Sequence, residues 1–251
     1  MGEEHISIEE VKARITAAAG DHVVFDGLSD AALKAAAEDE NIPADLVRAA
    51  FPKGALDLGV ELHLAGDQEL ADRMASEDMS ALRYSQKVAR AVMVRLEIAG
   101  RNKEAVRRAA NFFALPQNAV AGSKCIWNTA DTIWSALGDT SDDLNWYSKR
   151  TILSGVYSAS LLYWLGDDSE GATRTKTFVD RRIDNVMAFE KTKGQIKNSR
   201  AYQAFRSGPG RFLDSIKAPG LSGMNDLPGQ WRDNDLSGQQ HKNDLSGQWR
   251  K

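Results

Sequence analysis

The chain is predicted to be all-α. Nearly every segment places its apolar residues at helical spacing, no stretch alternates long enough to argue for a strand, and helix-start signals recur along its length. Ser7 with Glu10 makes a capping box ahead of VKARITAAA, and Ser29 precedes DAALKAAAEDE. Pro43 suits the first turn of ADLVRAAF, and Pro52 opens KGALDLGVELHLAGDQELADRMA. Ser80 is read as the start of a long helix to about Ile98 that Gly100 ends. Further helices fit 103–113, 118–137, 145–165, 171–192 and 199–216, giving about ten.

A chain of 251 residues can bury one sizeable core with a small appended domain. Its composition is 42% hydrophobic and 27% charged with a net charge of -3, so no basic excess points to nucleic acid. Cys125 is the single cysteine, which excludes disulfides and cysteine-rich metal sites. The opening MGEEHISIEEV has neither a signal-peptide nor a transit-peptide pattern. The most apolar run, 151–166, is shorter than the roughly 20 residues that span a bilayer.

The organisation reads as four parts: a helix-turn-helix-like head at 1–64, a helical bundle at 65–196, an amphipathic helix at 197–219 and a tail at 220–251. The tail contains NDLPGQWRD, NDLSGQQHK and NDLSGQWRK in tandem. One Leu per nine residues cannot offset chain entropy, so the repeat is read as disordered.

Residues 25–63 resemble the DNA-binding head of TetR-type regulators, with Asn41 and Ile42 at the turn and a Phe-Pro-Lys junction at 51–53. The electrostatics are opposite to that role. Residues 1–62 hold thirteen acids against five bases, a net of -8, and phosphate binding depends on Lys and Arg. No nucleic-acid partner is expected, and a ligand-responsive TetR-like repressor is the alternative reading that this charge opposes.

At 197–217, Tyr202, Phe205, Phe212, Leu213 and Ile216 recur on one face, with Lys197, Arg200, Arg206, Arg211 and Lys217 around them. That pattern describes a helix lying in an anionic membrane surface. Catalysis is not expected. His5, His22, His63 and His241 leave none between 64 and 240, which removes the commonest base and metal ligand from the bundle. No paired Glu-x-x-His and no phosphate loop occur, and Cys125 reads as a core thiol. No cofactor or metal is implied.

The stretch 131–150, DTIWSALGDTSDDLNWYSKR, sets Trp146 and Tyr147 behind an acidic turn. Large amphipathic aromatics among charges suit a protein–protein hot spot, while a capped helix start with a core Trp is the alternative. This stretch, FVDRRIDNVMAF and the IKAP at 216–219 resemble the lipid-binding accessory proteins of ubiquinone biosynthesis, the ninth Coq family. The resemblance covers about 25–219; Ser141 and Ser148 are mild departures, and the repeat tail lies outside it.

The resemblance implies a TetR-like bundle that is not a regulator. It implies a lipid cavity for an isoprenoid quinone precursor, a membrane-contacting last helix and assistance to a di-iron demethoxyubiquinone hydroxylase. It carries over to Asp131, Asp143, Trp146, Tyr147 and Arg150 as a partner-facing patch. A homodimer is expected, in the cytoplasm and peripheral to the inner (cytoplasmic) membrane of a bacterium.

Overall fold

A computed structural model describes residues 6–141 and 144–197, with side chains through 186 apart from Leu144. Those residues form nine α-helices and two 3-10 turns, with no strand among them. The helices are α1 (Ile8–Asp26), α2 (Asp30–Asp39), α3 (Ala44–Ala50), α4 (Ala55–Ser76), α5 (Tyr84–Ala99), α6 (Lys103–Ala114), α7 (Ala119–Ala136), α8 (Leu144–Leu165) and α9 (Thr173–Lys197). The tenth helix expected from the sequence, 199–216, lies outside the described residues, as do Tyr202, Phe205, Phe212, Leu213, Ile216, Asp143 and the repeat tail.

Side-chain caps set several helix starts. Ser7 Oγ accepts the Glu10 N–H at 3.1 Å, Ser29 Oγ the Ala32 N–H at 3.2 Å and Asn102 Oδ1 the Ala105 N–H at 3.1 Å. Ser80 does not begin a helix. Asp78 accepts the Ser80 N–H at 2.9 Å and holds a turn there, and α5 starts at Tyr84, where Gln86 Oε1 accepts the Arg83 N–H.

Val11, Ile15, Ala19 and Val23 recur every four residues down α1 and are fully buried. They meet Ala32, Leu33, Ala36 and Ala37 of α2, Phe51 and Leu58 in a head core. A second core joins Leu70 and Met74 of α4 with α5, Ile133 and Trp134 of α7, Tyr157 and Trp164 of α8, and Val179 and Ile183 of α9. Helix α4 contributes to both, so position 64 falls inside a continuous helix.

Helices α7 and α8 pack side by side. The turn that leaves α7 needs Gly138 at φ +73°, where it closes with bonds from the Gly138 N–H to Ser135 and from the Asp139 N–H to Trp134. At the other end of α8, the buried Asp167 accepts from Ser169 and from both the N–H and hydroxyl of Thr175, which caps α9.

Candidate ligand cavity

Helices α1, α4, α6, α7 and α8 and the end of α5 line a cavity of about 730 Å³. The space follows from small side chains. Gly59 and Gly66 of α4, Ala105, Ala109 and Ala110 of α6, Gly122 of α7 and Gly155 of α8 all line it. Gly155 is exposed at the cavity edge, and beyond its own stretch of α8 a Cβ there would meet no heavy atom within 4 Å. Gly59 instead admits the Leu28 side chain and the Phe113 ring, which a Cβ would press at 2.5 Å and 3.0 Å, and Gly122 admits the base of the Phe113 side chain, where a Cβ would meet its Cβ at 2.8 Å. Helix α6 is strongly amphipathic yet has no fully buried residue: its apolar face packs partly against both cores and leaves Ala105, Val106, Ala109, Ala110 and Phe113 lining the cavity between them.

One end of the cavity is polar. Arg95 Nε donates to Asp67 Oδ1 at 2.7 Å, and both side chains are buried. The Arg95 guanidinium lies against Gly66, where a Cβ would sit 2.8 Å away. Thr129 also donates to Asp67 Oδ1, at 2.8 Å, and its hydroxyl oxygen is 2.8 Å from His63 Nε2. With the Thr129 proton directed at the carboxylate, that oxygen is left to accept from the imidazole. Burial lowers the His63 pKa to about 4, with nearby Arg95 acting in the same direction and Asp67 against it. The imidazole is therefore neutral near neutral pH, and the Arg95 and Asp67 charges balance. Trp127 Nε1 and Ser154 Oγ are buried without a hydrogen-bond partner among the described residues, and both residues line the cavity.

The absence of histidine between 64 and 240 suggested a bundle without one, and this arrangement was missed. His63 lies one residue short of the boundary drawn at 64, but α4 carries it into the bundle. Spacing offered one hint, since His63 and Asp67 stand four apart on one helical face. Cys125 is a buried thiol, as expected. Among the described residues, no group of three or more His, Cys, Asp or Glu is arranged to hold a metal, and no helix is long and apolar enough to cross a membrane.

The 131–150 motif is brought together, but largely inward. Trp146 is 7% exposed and Arg150 3%. This corrects the expectation that the Trp146 and Arg150 side chains themselves face a partner, since both are buried. The Arg150 guanidinium stacks 3.9 Å from the Trp146 ring centre, donates to Asp131 at 2.5 Å and to Asp139 at 3.2 Å, and so joins α8 to α7. Lys149 completes the clamp by donating to Asp139 and Ser141, both at 2.6 Å. Burial opposes ionisation of Asp139, but the bonds from Lys149, Ser141 and Arg150 hold its pKa below the ordinary 3.8. Tyr147 packs edge-on to Trp146 and stays half-buried, as does Asp131. Trp146 also contacts Trp127, with ring centres 6.0 Å apart, so the motif braces a wall of the cavity.

Residues 119–190 match the COQ9 family model. The chain is 34% identical over 137 residues to "Probable ubiquinone biosynthesis protein coq9, mitochondrial" of Dictyostelium discoideum, covering 52% of this chain and 43% of that protein. It is 34% identical over 92 residues to "Ubiquinone biosynthesis protein COQ9, mitochondrial" of Rattus norvegicus, covering 37% and 30%. With the Drosophila melanogaster COQ9 it shares 26% identity over 194 residues, covering 76% and 59%. The matches thus span less than two thirds of each relative's length. A TetR transcriptional regulator from Nitrosomonas europaea is similar in structure, with a TM-score of 0.48 and 14% identity, covering 69% of this chain and 95% of that one. That overlap is too slight to bear on function. These three relatives are all named mitochondrial, which overturns the expected bacterial cytoplasmic-membrane location.

Proposed function

We propose, from the match of residues 119–190 to the COQ9 family model, that this chain is a non-enzymatic, lipid-binding accessory protein of ubiquinone biosynthesis. In this reading it shelters the tail of an isoprenoid quinone precursor at a membrane surface and presents the precursor to a demethoxyubiquinone hydroxylase. The observation that carries the reading is the cavity itself. At about 730 Å³ it lies within the usual range for small-molecule sites, and its walls are mostly apolar. Exposing an isoprenoid tail to water costs about 0.8 kcal/mol per CH₂, and a cavity of this kind removes that cost during transfer.

The homodimer and the membrane-contacting helix at 199–216, with Tyr202, Phe205, Phe212, Leu213 and Ile216, belong to the same proposal. So does a hydroxylase-facing patch at Asp131, Asp143 and Tyr147, with the buried Trp146 and Arg150 beneath it. The repressor alternative is not favoured. The recognition-helix equivalent, α3, offers Arg48 as its one base, and Asp45 on the same helix pairs with it.

Quinone rings quench indole emission, and Trp127 lines the cavity. Titration with a short-chain ubiquinone is expected to quench the wild-type protein saturably, and a Trp127→Phe variant much less. Quenching that never saturates, or that is equal in both proteins, would remove the cavity from the account.

A further inference from the structure

We propose that the corner between α6 and α7 is a second membrane-docking surface, separate from 199–216, which seats the cavity mouth in the acyl layer of an anionic bilayer. The proposal rests on the lipid-binding reading above. From 105 to 130 the chain has Arg107, Arg108 and Lys124 but not one Asp or Glu, in a protein with 35 acids. Within that stretch the corner is exposed and apolar: Val120 is 69% exposed, Leu115 44%, and Ala114, Pro116 and Ala119 are also exposed.

The position of this surface matters as much as its composition. Ala114 and Ala119 are exposed and also line the cavity, as does Leu162 of α8 at 67% exposure. Thr151 and Gly155 of α8 are exposed lining residues as well, so the cavity opens between the corner and the exposed side of α8, and also beside Arg101. An exposed apolar rim that continues into an apolar cavity suits a lipid phase, because a tail leaving the bilayer would not cross water. Arg107 and Arg108 are half exposed and share one acid, Glu104, and the Arg107 guanidinium also donates to the Leu165 carbonyl at 2.9 Å. The face keeps a net positive charge that suits lipid phosphates, while Leu115 and Val120 enter the acyl region.

The test uses the full chain with vesicles of phosphatidylcholine and phosphatidylglycerol. On a Cys125→Ala background, an environment-sensitive NBD label is placed at Val120→Cys or, as a control on the acidic head, at Lys34→Cys. Vesicles are expected to raise and blue-shift emission at 120, and lipids brominated in their acyl chains to quench it, with no change at 34. Separately, Leu115→Asp with Val120→Asp should lower the vesicle-bound fraction about tenfold while the circular dichroism spectrum is kept, since both side chains are exposed. A label at 120 that still reports water when the protein floats with vesicles overturns the proposal. So does normal flotation of the double variant, or failure of the full chain to bind vesicles. Mass spectrometry of lipid carried by the purified protein is scored independently. A protein that inserts its corner but carries no isoprenoid lipid would sink the lipid-binding reading and leave the docking surface standing. A protein that carries the lipid but keeps its corner in water would do the reverse.

Discussion

The Arg150 guanidinium lies 3.9 Å from the centre of the Trp146 ring while its Nε donates to Asp131 on the neighbouring helix. One cation thereby covers an aromatic face and neutralises a carboxylate, which makes the motif a clamp between α7 and α8. Trp146→Ala would leave a hole beneath Arg150 and against Trp127, and should cost about 3–5 kcal/mol in denaturant unfolding. Tyr147→Ala, which truncates a half-buried ring at the edge of that contact, should cost less. If the patch meets the hydroxylase, Tyr147→Ala will weaken that complex without a matching loss of stability.

Arg150→Met tests the charges of the clamp. The substitution keeps apolar bulk over Trp146 but leaves Asp139 with Lys149 as its remaining cation, where both Arg150 and Asp139 are 3% exposed at the side chain. Breaking a buried pair on one side costs about 3–5 kcal/mol. Because Asp139 titrates below its ordinary 3.8 in the fold, its contribution is present above pH 3.8 and is lost as pH falls through the lowered value. Asp139→Asn should lower stability at neutral pH and flatten the acid limb of the stability curve below pH 3.8.

His63 contributes in a different window. Its pKa falls from 6.5 to about 4 on folding, so between those values the unfolded chain binds the extra proton. Stability is therefore unaffected above pH 6.5 and declines as pH drops toward 4, by about 3 kcal/mol at full development. Urea unfolding at a series of pH values should show this slope in the wild type and lose it in His63→Gln. An unchanged slope would place the titration on another group.

The helices were legible from the sequence because their information is local. Ser7, Ser29 and the four-residue spacing of Val11, Ile15, Ala19 and Val23 announce themselves within a single turn or helix. The cavity was not legible, since Gly59 and Gly122 admit Phe113, Gly66 admits Arg95 and Gly155 meets no other helix, relations that mean nothing until the helices pack. Trp146 was ambiguous for a related reason. An aromatic beside acids and bases reads as surface until Arg150 is seen to fold its charge back onto Asp131 and Asp139. Charge composition carried information of both kinds: the acidic head was noted at once, whereas the acid-free stretch from 105 to 130 gains meaning only from its place at the cavity mouth.

Gly155 offers the most direct control of the cavity. Beyond its own stretch of α8, no heavy atom lies within 4 Å of a Cβ built there, so Gly155→Phe can enter the cavity edge without pressing on another helix. It also removes a helix-interior glycine, worth about 0.5–1 kcal/mol relative to Ala, so the melting temperature should hold or rise while ligand capacity falls.

Mass spectrometry of lipids extracted from purified full-length protein, wild type beside Gly155→Phe, tests the central claim most directly. An isoprenoid quinone or its precursor in near-stoichiometric amount from the wild type, and its loss from the equally folded variant, is the result expected. Wild-type protein that carries no isoprenoid lipid, or a filled variant that carries as much, would contradict it.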